Sequence, residues 1–124
     1  MNEQNKKFDL EERLIDFTVM CLSIAEKLAN TRIGNYYSDQ LIRSCSSPSL
    51  NYAEARSAES RRDFIHKMNI CLKELRETNV TLKIIERKKL FTDQFVLEAA
   101  KKECNELISI FVTSVQTASA NKKA

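Results

Sequence analysis

Four cysteines, one histidine and a row of cations are the residues of this chain whose chemistry could define a function. Cys21, Cys45, Cys71 and Cys104 fall one to each of four helical stretches. Four thiolates meeting inside a bundle would make a tetrahedral metal site, with all sulfurs within about 4 Å of one another. The chain has no CxxC pair, and at ~1.5 Å per residue along antiparallel helices Cys104 falls roughly 10 Å from the level of Cys71. Buried thiols acting as small hydrophobes are therefore expected, with no metal and no cofactor. His66 lies on a polar side beside Arg62, with no Ser or Cys nucleophile at a usable spacing. Glu74 and Glu77 share one helix with Glu54 near, but a di-iron bundle needs two Glu-x-x-His motifs. No set of catalytic residues emerges, and a non-enzymatic protein is expected.

Two rows remain. Arg62, His66, Lys73, Arg76, Lys83 and Arg87 fall within about one third of a helical circumference. Five of them, Arg62, Lys73, Arg76, Lys83 and Arg87, form a cationic ridge over roughly 37 Å of helix, a spacing suited to phosphates. A solvated outer face also carries lysines and arginines, but here acids stand only at the margins, at Glu59 and Glu77. The second row is polar: Gln40, Ser44, Ser47, Asn51 and Glu54, beside the small positions Cys45, Pro48 and Ala55. Small neighbours allow another backbone to come close, so this row is expected to form a hydrogen-bonded seam between helices or between subunits.

The elements that position these rows follow from periodicity. Phe64, Met68, Cys71, Leu75, Thr78, Leu82 and Ile85 recur at alternating steps of four and three, the mark of one buried helical stripe. Leu10, Leu14, Phe17, Cys21, Ile24 and Leu28 do the same, with Ile15, Leu22 and Ala25 widening the stripe for two neighbours. Leu97, Ala100, Cys104, Leu107 and Phe111 give a third seam. Helices are expected at about 9–28, 39–57, 60–89 and 93–118, with 1–8 and 119–124 frayed. Asp9 caps the first, Ser38 or Asp39 the second after a connection at 29–37 containing Gly34, and Thr92 or Asp93 the fourth. Pro48 is expected to kink the second helix or reset its start. Short connections make consecutive helices antiparallel, which gives an all-α, up-down-up-down antiparallel four-helix bundle in a single domain.

At 124 residues, with 43% hydrophobic and 30% charged residues and one glycine, the chain is long and apolar enough for a helical core. A net charge of +3 is too mild to imply a nucleic-acid partner by itself, so the arrangement of charge matters more. The N-terminal stretch has no apolar signal region, and no run of ~18 apolar residues crosses a membrane. Free thiols and a cytoplasmic location are expected.

Gln40-Leu41, Arg43-Ser44, Ser47-Pro48 and Asn51 to Glu54, followed by Asp63-Phe64-Ile65, Leu72, Glu74 and Glu77-Thr78, carry a resemblance. They resemble a bacterial family of four-helix-bundle proteins encoded by intervening sequences inserted in 23S ribosomal RNA genes. Thr81 departs from it, where relatives often carry an aromatic residue. The resemblance implies a small cytoplasmic bundle assembling into a homopentamer. The chain is similar also to accessory proteins of diversity-generating retroelements, basic pentamers that bind nucleic acid and a reverse transcriptase. The partners so implied are further copies of the chain, structured RNA or DNA, and a nucleic-acid-processing protein, without a membrane. A protein–protein scaffold that binds no nucleic acid is the alternative.

Overall fold

A computed structural model of the chain describes residues 9–122, with side chains to residue 120. It holds four helices: α1 Leu10–Glu26, α2 Arg32–Arg56, α3 Arg61–Lys88 and α4 Gln94–Lys122. Residues 1–8, expected to fray, lie outside the described residues. Each helix packs on the next in sequence and α4 closes on α1, forming an up-down-up-down four-helix bundle. The core is the meeting of the seams. Leu14, Phe17, Cys21 and Ile24 of α1 are buried with Met68, Cys71, Leu75, Leu82 and Ile85 of α3 and Leu97 to Phe111 of α4. Each large side chain fully buried here contributes about 1.5–3 kcal/mol.

Side-chain caps start the helices. Asp9 accepts from the Glu12 amide at 3.2 Å, Ser60 from that of Asp63 at 3.0 Å, and Asp93 from that of Val96 at 3.1 Å. Each fills one of the donors orphaned at a helix N-terminus. At the far end of α3 the chain reverses through Lys89, held at φ 57, and the Leu90 amide returns to the Ile85 carbonyl. α4 continues to Lys122, beyond its expected end near 118.

The second helix departs from expectation. It begins at Arg32, not near 39, and its cap is Thr31, which accepts from the Gly34 amide at 3.0 Å. Ser38 is inside the helix and its hydroxyl donates to the Ala25 carbonyl at 3.0 Å. Gly34 is therefore not a turn residue. It is buried against the preceding loop, where a Cβ would stand 1.8 Å from the Ala29 carbonyl oxygen. That loop is held in turn by the Ala29 amide, which donates to the Leu90 carbonyl across to the α3–α4 connection. Gly34→Ala is expected to cost about 1–3 kcal/mol, as overpacked sites do. Urea denaturation checks it, and unchanged stability would contradict this close approach.

α2 also runs through Pro48 without a break. Neighbouring helices supply donors there. The Thr18 hydroxyl lies 2.9 Å from the Cys45 carbonyl and 2.8 Å from the Ser49 hydroxyl, and the Cys71 thiol donates to the Pro48 carbonyl at 3.4 Å. The proline is thus built into the packing, and the helix does not restart.

Candidate nucleic-acid interface

α3 owes its length to an uninterrupted seam without Gly or Pro, and that seam turns the opposite side outward. Arg62, Lys73, Arg76, Lys83 and Arg87 are all exposed there, as is His66. None of the five cations is in an ion pair among the described residues. Between them, Asn69 is exposed, and Leu72 and Val80 floor a shallow hollow of about 570 Å³ beside Lys73 and Arg76.

Three of the four acids of α3 are drawn to neighbouring helices, although Glu77 also borders the hollow. Arg43 of α2 reaches Glu74 at 3.1 Å and Glu77 at 3.5 Å. Lys101 of α4 reaches Glu86 at 2.7 Å. These three carboxylates are countered by cations of neighbouring helices, while Asp63 beside Arg62 has no ion pair among the described residues, so cations outnumber free acids on the outer side of α3. Burial raises the Glu74 carboxyl above its ordinary value, and its hydrogen bond and repulsion with Glu77 add to the rise against the pull of Arg43.

Two members of the polar row of α2 reach α3 of the same chain, and the others bond within α2. Ser44 is buried and accepts from the Thr78 hydroxyl at 3.0 Å, and Glu54 accepts from Lys67 at 2.8 Å. Asn51 donates to the Ser47 hydroxyl at 2.9 Å, and the Gln40 side chain accepts from Arg43 at 3.4 Å. Thr81 turns its hydroxyl onto the Glu77 carbonyl of its own helix. On the other side of the bundle Arg13 clamps α1 to α4 with two 2.8 Å hydrogen bonds to Glu103, which raise its pKa.

All four cysteines are free and buried. The Cys104 thiol donates to the Leu75 carbonyl at 3.2 Å, and burial pushes both Cys71 and Cys104 up to about 12. Among the described residues no group of three His, Cys, Asp or Glu is arranged to hold a metal ion. No described helix is long and apolar enough to cross a membrane.

Two features escaped the periodicity. The Arg43 bridge joins residues 31 and 34 positions apart in the chain, which no local pattern signals. Ile15, expected to widen the buried stripe of α1, is 41% exposed, and Leu22 is half-buried. Its wide stripe would have been equally consistent with a surface left open beside α2.

The family model described as 23S rRNA-intervening sequence protein matches residues 6–113. A crystal structure of a protein of unknown function, from the S23 ribosomal protein family of Bacteroides thetaiotaomicron, is 30% identical. It superposes with a TM-score of 0.78, covering 85% of this chain and 96% of that one. No curated protein matches the chain.

Proposed function

This chain belongs to the 23S rRNA-intervening sequence protein family, and we propose that it is a non-enzymatic homo-oligomer binding structured nucleic acid, ribosomal RNA first among candidates. The observation that carries the proposal is the segregation of charge on α3. Three of its four carboxylates, Glu74, Glu77 and Glu86, are paired sideways with Arg43 and Lys101, while Asp63 and five outward cations have no ion pair among the described residues. Such a row neutralises successive phosphates without reading sequence. Three of the five are arginines, whose planar fork suits bidentate phosphate contact. The assembly proposed is a ring, five-membered as the resemblance implies, in which repetition of one modest ridge adds avidity. The exposed apolar residues Ile15, Val19, Ile42 and Leu50 favour a second reading, a scaffold that binds only protein.

Filter binding against structured RNA and duplex DNA at several salt concentrations separates the two. About five phosphate contacts per copy predict a log–log slope of roughly −3.5 to −4.5, hence a loss of about 100-fold or more between 50 and 200 mM salt. Absence of binding at 50 mM, or binding indifferent to salt, would hand the function to the scaffold.

A further inference from the structure

Phe95 is 85% exposed, the most exposed of the large hydrophobic side chains among the described residues. It stands on the first turn of α4, with exposed Ala99 and Lys102 following at steps of four and seven on the same stripe. Lys88 and Lys89, also exposed, precede it at the end of α3 and in the connection. This end of the bundle is an aromatic knob with Lys88, Lys89 and Lys102 about it and two exposed carboxylates, Asp93 and Glu98, beside it.

The chain carries a matching surface elsewhere. The Thr18–Ser49 and Ser38–Ala25 hydrogen bonds fix the antiparallel register of α1 and α2. In that register Ile15 lies level with Leu50, and Leu22 level with Ile42, on the outward side of the groove between the helices. Ser46 lies between Ile42 and Leu50, which leaves room for an inserted side chain. The rim is acidic. Glu26 stands one turn beyond Leu22 and Asp39 one turn before Ile42, and both are exposed and in no ion pair among the described residues. Knob and groove are both apolar at the centre, and each has exposed charges of the sign that the other can pair, lysines about the knob and carboxylates at the rim.

Their heights agree as well. The Arg13–Glu103 pair sets α1 against α4 and places Phe95 about level with Leu22. In a ring whose axis runs along the bundles, the two halves of a contact must lie at one height. We infer that the partner covering the α1–α2 face is a second copy, whose Phe95 seats against Leu22 and Ile42 with its lysines facing Glu26 and Asp39. The contact is head-to-tail, the kind that closes rings, and it includes none of the five ridge cations, which stay open to nucleic acid. It rests on the homo-oligomer proposed above and specifies its interface.

Light scattering on the full chain and two variants tests this. Phe95→Asp and Ile42→Asp alter exposed side chains, so circular dichroism and thermal melting should show intact bundles. The native chain is expected to scatter as an oligomer and each variant as a single chain. Mixed one to one, the variants retain one good knob and one good groove, and the mixture is expected to give a two-chain particle. A native monomer would overturn both the oligomer and this interface. A native oligomer that Phe95→Asp leaves intact would overturn the interface alone, as would dissociated variants that fail to pair when mixed.

Discussion

Lys73→Glu combined with Lys83→Glu is expected to weaken nucleic-acid binding by at least about 100-fold near 0.1 M salt, while helicity and oligomer size stay unchanged. Both side chains are exposed on the outward face of α3, away from the seam of Met68, Cys71, Leu75 and Leu82. Neither takes part in an ion pair among the described residues, so no internal partner is orphaned by the change. At 0.1 M salt, taking one cation away from a phosphate forfeits the release of about one condensed counterion, worth roughly 1.2 kcal/mol. Removing two cations gives about 60-fold, and two new anions facing phosphates add repulsion of the same order. The net charge moves from +3 to −1, since each of two cations becomes an anion. A comparison variant with the same change placed off the ridge, Lys27→Glu with Arg32→Glu, is expected to bind far better. Equal losses in both would reduce the ridge to net charge alone. Unchanged binding in the ridge variant would assign those cations to solvation.

The outward side of α3 was legible because a helical stripe fixes its own reverse. Once Phe64 to Ile85 are placed inward, the ridge cations have nowhere to point but out. What the sequence could not supply was the state of the flanking acids. Glu77 looks like a margin of the ridge, and Glu74 like its neighbour in a carboxylate pair, until Arg43 of α2 is seen reaching both. The helices α1, α3 and α4 were similarly readable, each carrying a regular seam, with the cap of α1 at Asp9 and that of α4 at Asp93 also legible.

α2 was readable only in part, and Gly34 is the reason. A lone glycine beside two tyrosines has the same local signature whether it turns the chain or admits a close backbone. Only the position of the Ala29 carbonyl, set by a loop that is itself anchored to Leu90, distinguishes the two. The open face of α1 and α2 is a deeper ambiguity. A wide apolar stripe on α1 serves equally a helix with two neighbours in its own chain and one with a neighbour in another copy. Ile15 and Val19 follow the same spacing in either case, and the exposure that separates them is a property of the whole bundle.

The buried thiols make the largest stability prediction. Cys71 and Cys104 are fully buried, and burial lifts both from an ordinary 9.0 to about 12, because a thiolate there would lose its water without gaining a countercharge. Cys21 is raised too, by its hydrogen bond with Cys45 and then by burial. With the folded value above the unfolded one, the folded chain holds these protons more tightly. The stabilisation is therefore complete below about pH 9 and is lost as pH rises through about 12. Within that window each thiol gives a slope of about −1.4 kcal/mol per pH unit, so two lose roughly 8 kcal/mol together. That is comparable with the whole stability of an ordinary domain, about 5–15 kcal/mol. Urea midpoints taken from pH 8 to 11 are expected to fall steeply. Lysine and tyrosine titration also contributes in this range, so the thiol share is isolated by Cys71→Ala with Cys104→Ala. That variant starts less stable, because two small core groups are lost, but its decline above pH 9 is expected to be shallower by up to about 2.7 kcal/mol per unit. Parallel curves for the two proteins would mean that these thiols are already reached by water in the folded bundle.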